Sequence, residues 1–305
     1  EDPSEPAAEP PQPANHVWVL RPQESGDLDV IGHVDGIAPG ETVRAVRMMG
    51  EKGYVITFRQ TDPLFTLDLS SPTSPRVVGE LHIPGFSAYL HPLGDTHLIG
   101  VGMAGLETGQ LTGLAVNLFD VSDMANPTLV TAYELDPGED AWSWSEAMWD
   151  HHAFTYHRDV LTIPAYTSSW DAETGVYSGF SGTVSFNVTA AAGIREIGRV
   201  DHHDLVDASE CLYDIWWGDA RGEGDTKPDE GDGGGSDPGD PGDPEPDDGD
   251  WSYCDWDYGF WYAQVRRSVY IEDNLFTISD YGVKVNDLND PSIPVAQVLF
   301  YPDAD

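Results

Sequence analysis

Apolar residues fall along this chain in short runs, and within a run they tend to alternate with polar ones. TVRAVRMMG, GYVITF, LFTLDL, SVYIED and LFTISD are of this kind. The runs are rich in β-branched and aromatic residues and end at Gly, Pro, Asn or Asp, the signature of short strands joined by turns. Gly (32 residues) and Pro (23 residues) are abundant, which argues against long helices. No apolar run approaches the roughly 18 residues that span a bilayer.

The runs repeat. A unit passes from an apolar strand into Asp-Leu/Val-Ser, through a short Pro-containing turn, into a second alternating strand. LFTLDLSSPTSPRVVGELHI (64–83), LAVNLFDVSDMANPTLVTAYEL (114–135) and VKVNDLNDPSIPVAQVLF (283–300) are copies, and TVSFNVTAAAGIREIGRVDH (183–202) is a degenerate one with Asn187 in place of the Asp. In such a turn the Asp carboxylate can accept from a backbone N–H two residues on. Two further strand-like runs precede each copy, giving four strands in about 50 residues, the period of a propeller blade. The expected fold is therefore all-β, a β-propeller of four-stranded antiparallel blades. Four full blades are predicted at about 41–84, 86–136, 144–204 and 262–301, with the outer strands of a fifth at 16–40.

Two tracts stand outside the repeat. Residues 1–15 are Pro/Glu/Ala-rich and read as a disordered arm. Residues 219–250 hold thirteen acids against two bases and read as a disordered acidic insertion in a propeller domain of 16–301. The whole chain carries 54 acidic and 14 basic residues, a net charge of −40. That surface repels phosphate backbones and excludes nucleic acid as a partner. The sequence implies no definite cofactor; the acidic tract has the composition for weak Ca²⁺ association through oxygen ligands, but it lacks the EF-hand spacing and reads better as a solvated linker. Cys211 and Cys254 flank the tract. A disulfide there fits an extracellular or cell-surface protein and would contribute about 4 kcal/mol by closing the loop; the alternative is two buried thiols.

The stretch GETVRAVRMMGEKGYVITFRQTDPLFTLDLSSPTSPRVVGELHIPGFSAYLHPLGDTHLIGVG (40–102), with SEAMWDHHAF (145–154) and RRSVYIEDNLFTISDYGVKVNDL (266–288), resembles a family of secreted bacterial and archaeal proteins. These carry a C-terminal β-propeller domain distantly related to WD repeats. The resemblance implies the fold and a secreted or surface location, and it implies no reaction. It also implies that further blades precede this half, so the partner expected is the N-terminal part of the same propeller. The acidic insertion, the aromatic-rich region around the cysteines, and His152 where the family pattern has Lys are departures.

Inner strands of blades line a central channel, where ligands often bind. Arg44, Arg47, His91, Asp150, His151, Arg266 and Arg267 fall on the predicted inner strands. They read either as a channel-mouth site for a small anionic or polar ligand, with bidentate arginines, or as an ion-pair network joining blades. Two Asp-His-His runs, 150–152 and 201–203 (followed by Asp204), invite a metal, but adjacent histidines on a strand face opposite ways. Trp142, Trp144 and Trp149, like the Trp and Tyr residues around the cysteines, could form a glycan or protein contact surface or pack on themselves. No nucleophile elbow, zinc-protease motif, P-loop or dinucleotide fingerprint occurs. The leading reading is a binding or scaffold module for a protein, glycan or small ligand. A hydrolase with its site at the channel mouth and a structural component of an extracellular assembly are the alternatives.

Overall fold

Strand follows strand through nearly all of the computed structural model, which describes residues 14–59, 61–135, 141–171, 176–206 and 263–300. A two-stranded sheet, β1 (Asn15–Pro22) and β2 (Leu28–Ile37), comes first. Next are two four-stranded sheets, β3 (Thr42–Met49), β4 (Lys52–Phe58), β5 (Thr61–Asp68), β6 (Arg76–Pro84) and β7 (Phe86–Leu93), β8 (His97–Gly105), β9 (Leu111–Asp120), β10 (Thr128–Leu135). The next sheet holds β11 (Ala141–Trp144), β12 (Thr155–His157), β13 (Val160–Asp171), β14 (Val176–Thr189) and β15 (Gly193–Asp201). The last is β16 (Val265–Ile271), β17 (Asn274–Ser279), β18 (Gly282–Asp287) and β19 (Pro294–Leu299). Every pairing is antiparallel, and each sheet runs in chain order from its first strand to its last. The four-strand period read from the sequence is thus present. Among the described residues no helix is long and apolar enough to cross a membrane.

The turn chemistry is as expected. Asp68, Asp120 and Asp287 each end a third strand and accept through Oδ1 from the backbone N–H two residues on, at 3.0 Å from Ser70, 2.8 Å from Ser122 and 2.8 Å from Asn289. These bonds hold the Asp68 carboxyl down to about 2, with Ser70 the main cause and Arg76 adding to it. Asn187, at the degenerate copy, instead donates its Nδ2 to the carbonyl of Asp159.

The hydrophobic core is a series of sheet-to-sheet interfaces. Val17 and Val34 of the first sheet pack on Val55, Phe65 and Leu67. Tyr54, Ile56 and Leu64 meet Leu90, Leu98 and Phe119 of the next sheet. Ile99, Val116 and Leu118 meet Leu161, Ile163 and Phe186. Val160 and Val200 meet Leu275 and Leu288 of the last. A strand pressed from both sides is buried on both faces, and β4, β8 and β9 each carry five or more consecutive buried residues. β17, by contrast, alternates residue by residue and buries one face only.

One sheet departs from the expected pattern. Its inner position, read as continuous from residue 144, is broken: β11 and β12 both pair with the same edge of β13, and residues 145–154 leave the sheet between them. Two 3-10 turns, Glu146–Met148 and His151–Ala153, fill the excursion. Local capping drives it. Ser145 Oγ accepts from the N–H of Ala147 at 3.2 Å, and Asp150 Oδ1 from the N–H of His152 at 2.9 Å. Such side-chain bonds compete with ladder bonds and favour turns over strands.

Candidate functional site

The first strands of successive sheets lie side by side: β3 contacts β7, and β16 contacts the 145–154 excursion and β12. A bulge sits near the start of three of them. Arg44, Ala88 and Arg266 are the extra, unpaired residues of β3, β7 and β16. A bulge bends its strand and re-aims the side chain. Arg44 is turned over two rings, with its guanidinium carbon 5.5 Å from the centre of Phe58 and 5.2 Å from that of Phe86. Beside it is a hollow of about 250 Å³ lined by Val43, Arg44, Phe86, Ala88, Met148 and Trp149. Trp149 is 68% exposed there, the free end of a run of aromatic contacts: it lies 5.4 Å from Trp144, which stacks 6.4 Å from Trp142.

Six of the seven residues singled out in the sequence separate into three groups, and His151 lies against His152. Arg266, Arg267 and Asp150 tie β16 to the excursion: Arg267 Nη1 is 2.8 Å from Asp150 Oδ2, and Arg266 Nη1 is 3.7 Å from Glu146 Oε2. The bonds from His152 and the charge of Arg267 hold the Asp150 carboxyl at about 2. His91 stacks on Phe154 at 4.6 Å and approaches the Tyr89 hydroxyl at 3.2 Å. Burial first, and the positive charge of Arg47 second, push it down to about 4, so it is neutral at physiological pH. Arg44 and Arg47 form the third group. Neither has a carboxylate within ion-pair distance among the described residues, and the Nε of Arg47 is buried without a hydrogen-bond partner there.

Asp150 caps a 3-10 turn over His151–Ala153 where a strand was expected, so His151 and His152 do not face opposite ways. Their ring centres lie 3.9 Å apart with the planes tilted by 35°, and one ligand atom from each of Asp150, His151 and His152 lies within 4.8 Å of the others. Asp150 is already engaged, accepting from His152 Nδ1 at 2.8 Å and pairing with Arg267. That leaves two imidazoles for a transition metal, fewer than the three or four protein ligands of a tight site. The second run is structural. His202 is fully buried between the hydroxyls of Ser279 and Thr277, Asp201 accepts from the His203 N–H, and Asp204 pairs with Lys284.

Sequence reasoning did not pick out Glu146 or place Trp149 with Arg44. The Ser145 and Asp150 caps were the available signal, since both residue types favour turn starts. A larger furrow of about 570 Å³ runs between β15 and β18–β19. Lys284, which lines it, is already committed to Asp204 at 2.6 Å. Cys211, Cys254, the 219–250 tract proposed for Ca²⁺ and the aromatic residues around the cysteines lie outside the described residues.

Comparison with known proteins agrees with this architecture. A family model described as beta propeller domain matches residues 5–221. An uncharacterized protein of Methanocaldococcus jannaschii is 40% identical over 158 residues, covering 51% of this chain and 23% of that protein. An uncharacterized protein of Archaeoglobus fulgidus is 44% identical over 140 residues, covering 45% of this chain and 21% of that protein. The matched region spans less than a quarter of either relative.

Proposed function

Because the chain belongs to the beta propeller domain family, we propose that it is an extracellular binding module whose site is the hollow beside Arg44 and whose ligand is a short acidic saccharide. One observation carries this reading. In a chain with 54 acidic residues, Arg44 stands over the hollow with no carboxylate paired to it among the described residues. A guanidinium so placed can take a ligand carboxylate through two parallel hydrogen bonds. Trp149 offers an exposed aromatic face on the same hollow, suited to the apolar side of a sugar ring. The net charge of −40 repels a long polyanion, which favours a short ligand.

A hydrolytic reading would need a carboxyl kept protonated near neutral pH. Asp68, Asp120, Asp123, Asp150 and Glu196 are instead all held below the ordinary carboxylate range, chiefly by hydrogen bonds. None of these five suits the role of general acid.

Calorimetric titration with trigalacturonate and with maltotriose tests the proposal. The acidic trimer is expected to bind and the neutral one not to. Arg44→Ala is expected to weaken binding at least tenfold, in line with the roughly 1.5–3 kcal/mol of a charge-assisted hydrogen bond. Equal binding of both sugars, no binding of either, or binding that survives Arg44→Ala would overturn it.

A further inference from the structure

The outermost strands carry a shared mark. In β6, β10, β15 and β19 one residue is extra in the pairing with the third strand: Val78, Val130, Ile197 and Val295. β2 has the same bulge, at Ile31. In each case it falls opposite the residue just before the third strand's turn position, which is Asp68, Asp120, Asn187, Asp287 or, in β1, Arg21.

The residue after the bulge docks alike too. A Cβ on Gly79 would lie 2.1 Å from the carbonyl oxygen of Met124, in the β9–β10 connection. A Cβ on Gly198 would meet Pro291 and Ser292 in the β18–β19 connection. On Gly32 of β2 it would lie 2.2 Å from the carbonyl oxygen of Pro72, in the β5–β6 connection. β2 is therefore the fourth strand of a blade and β1 its third. Among the described residues no strand pairs with the other edge of β1, where every other sheet has two more.

The faces at both ends of the series are uncovered as well. On β1–β2, Trp18 (55% exposed), Leu28 (61%) and Val30 (60%) point away from the neighbouring sheet. At the other end Val269 pairs with Phe276, Phe276 with Val285, Ile278 with Val283 and Val283 with Val298, so these side chains share one face. Val298, on one edge strand, is 60% exposed and Val269, on the other, is 43% exposed, whereas blades inside the series are buried on both faces. An unpaired edge flanked by apolar surface is a template for further strands.

We infer that β1 and these two apolar faces are the docking surface for further blades of the same propeller, the nearest of which supplies two inner strands antiparallel to β1. The occupant follows from the repeat. The other four sheets show what sits on a third strand's inner edge, and the two relatives, matched over less than a quarter of their length, have room for several more blades. A second copy of this chain would meet the edge with an edge of its own and leave both blades without inner strands.

The test places a photo-reactive residue, Trp18→p-benzoylphenylalanine or Val298→p-benzoylphenylalanine, in the protein as its own cells make it. Mass spectrometry then reads the cross-linked peptides. Both positions are expected to cross-link to segments, in the same or a separate polypeptide, that carry this blade repeat and lie outside residues 1–305. The double variant Trp18→Asp/Leu20→Asp changes only exposed side chains, so circular dichroism should stay unchanged while cross-linking from Val298 drops at least tenfold. Cross-links between copies of this chain would overturn the inference. So would cross-links to a protein without the repeat, or no cross-link with a lone 33.3 kDa species under native conditions.

Discussion

Gly79→Val is expected to destabilise the protein by about 3 kcal/mol or more, at or beyond the upper end of ordinary overpacking. The first atom beyond Cα would sit 2.1 Å from the Met124 carbonyl oxygen, with Thr66 Oγ1 at 2.8 Å and Pro127 Cδ at 3.0 Å. Neither backbone nor proline can rotate aside. Thr66 also donates its hydroxyl to that same carbonyl, so moving the loop breaks the bond that fastens β5 to the next blade. Gly94 is the control. Its φ of +63° strains an alanine, but nothing lies within 4 Å of the added carbon. Gly94→Ala should cost only about 1–2 kcal/mol. Calorimetric unfolding separates the two, since at this chain length 1 kcal/mol moves Tm by roughly 1.5–2 °C. Equal shifts for both variants would show that close approach between blades is not what makes position 79 glycine.

That contact also shows what could be read without coordinates. Period-two runs and recurring Asp turns located the sheets almost to the residue: 41–84 against Thr42–Pro84, and 86–136 against Phe86–Leu135. They did so because each repeat encodes its own turn, and the Asp68 and Asp120 bonds need only residues two positions away. The Val/Ile-Gly pairs at 31–32, 78–79 and 197–198 were equally visible as letters. Their meaning was not, because the atoms that exclude a side chain there come from the following sheet.

The candidate site was less legible for the same reason. Arg44 and Arg266 were placed correctly on first strands, but pairing register alone reveals that both are bulge residues. The excursion at 145–154 resisted reading because four of its five apolar residues, Ala147, Met148, Ala153 and Phe154, are as buried as strand residues would be. Burial gave it the composition of a strand while Ser145 and Asp150 turned the backbone. The same error put His151 and His152 on opposite faces.

His202 makes the second large prediction, a loss of stability in mild acid. The ring is fully buried, with Nδ1 2.9 Å from Ser279 Oγ and Nε2 2.7 Å from Thr277 Oγ1, so it bridges β15's end to the last sheet. Burial, helped by nearby Lys284 and opposed by Asp204, pushes its pKa from 6.5 down to about 4. Between those values the unfolded chain binds a proton that the folded one refuses. Stability is therefore intact above pH 6.5, falls as the pH drops, and has lost the whole contribution once the pH passes below about 4. By linkage the loss amounts to roughly 3 kcal/mol. His91, also held at about 4 by burial and Arg47, acts in the same window, and less strongly because it is only partly buried. Protonating the many carboxylates relieves self-repulsion and works the other way, so the wild-type curve alone mixes two effects. His202→Gln separates them. A glutamine can accept from one hydroxyl and donate to the other, yet it does not titrate. Urea unfolding at pH 7.5, 5.5 and 4.5 should find the variant less stable by about 1–2 kcal/mol at the highest pH, the usual cost of imperfect buried hydrogen bonds. That deficit should vanish or reverse by pH 4.5. A deficit that stays constant across the three pH values would mean that His202 does not titrate between folded and unfolded states as its burial requires.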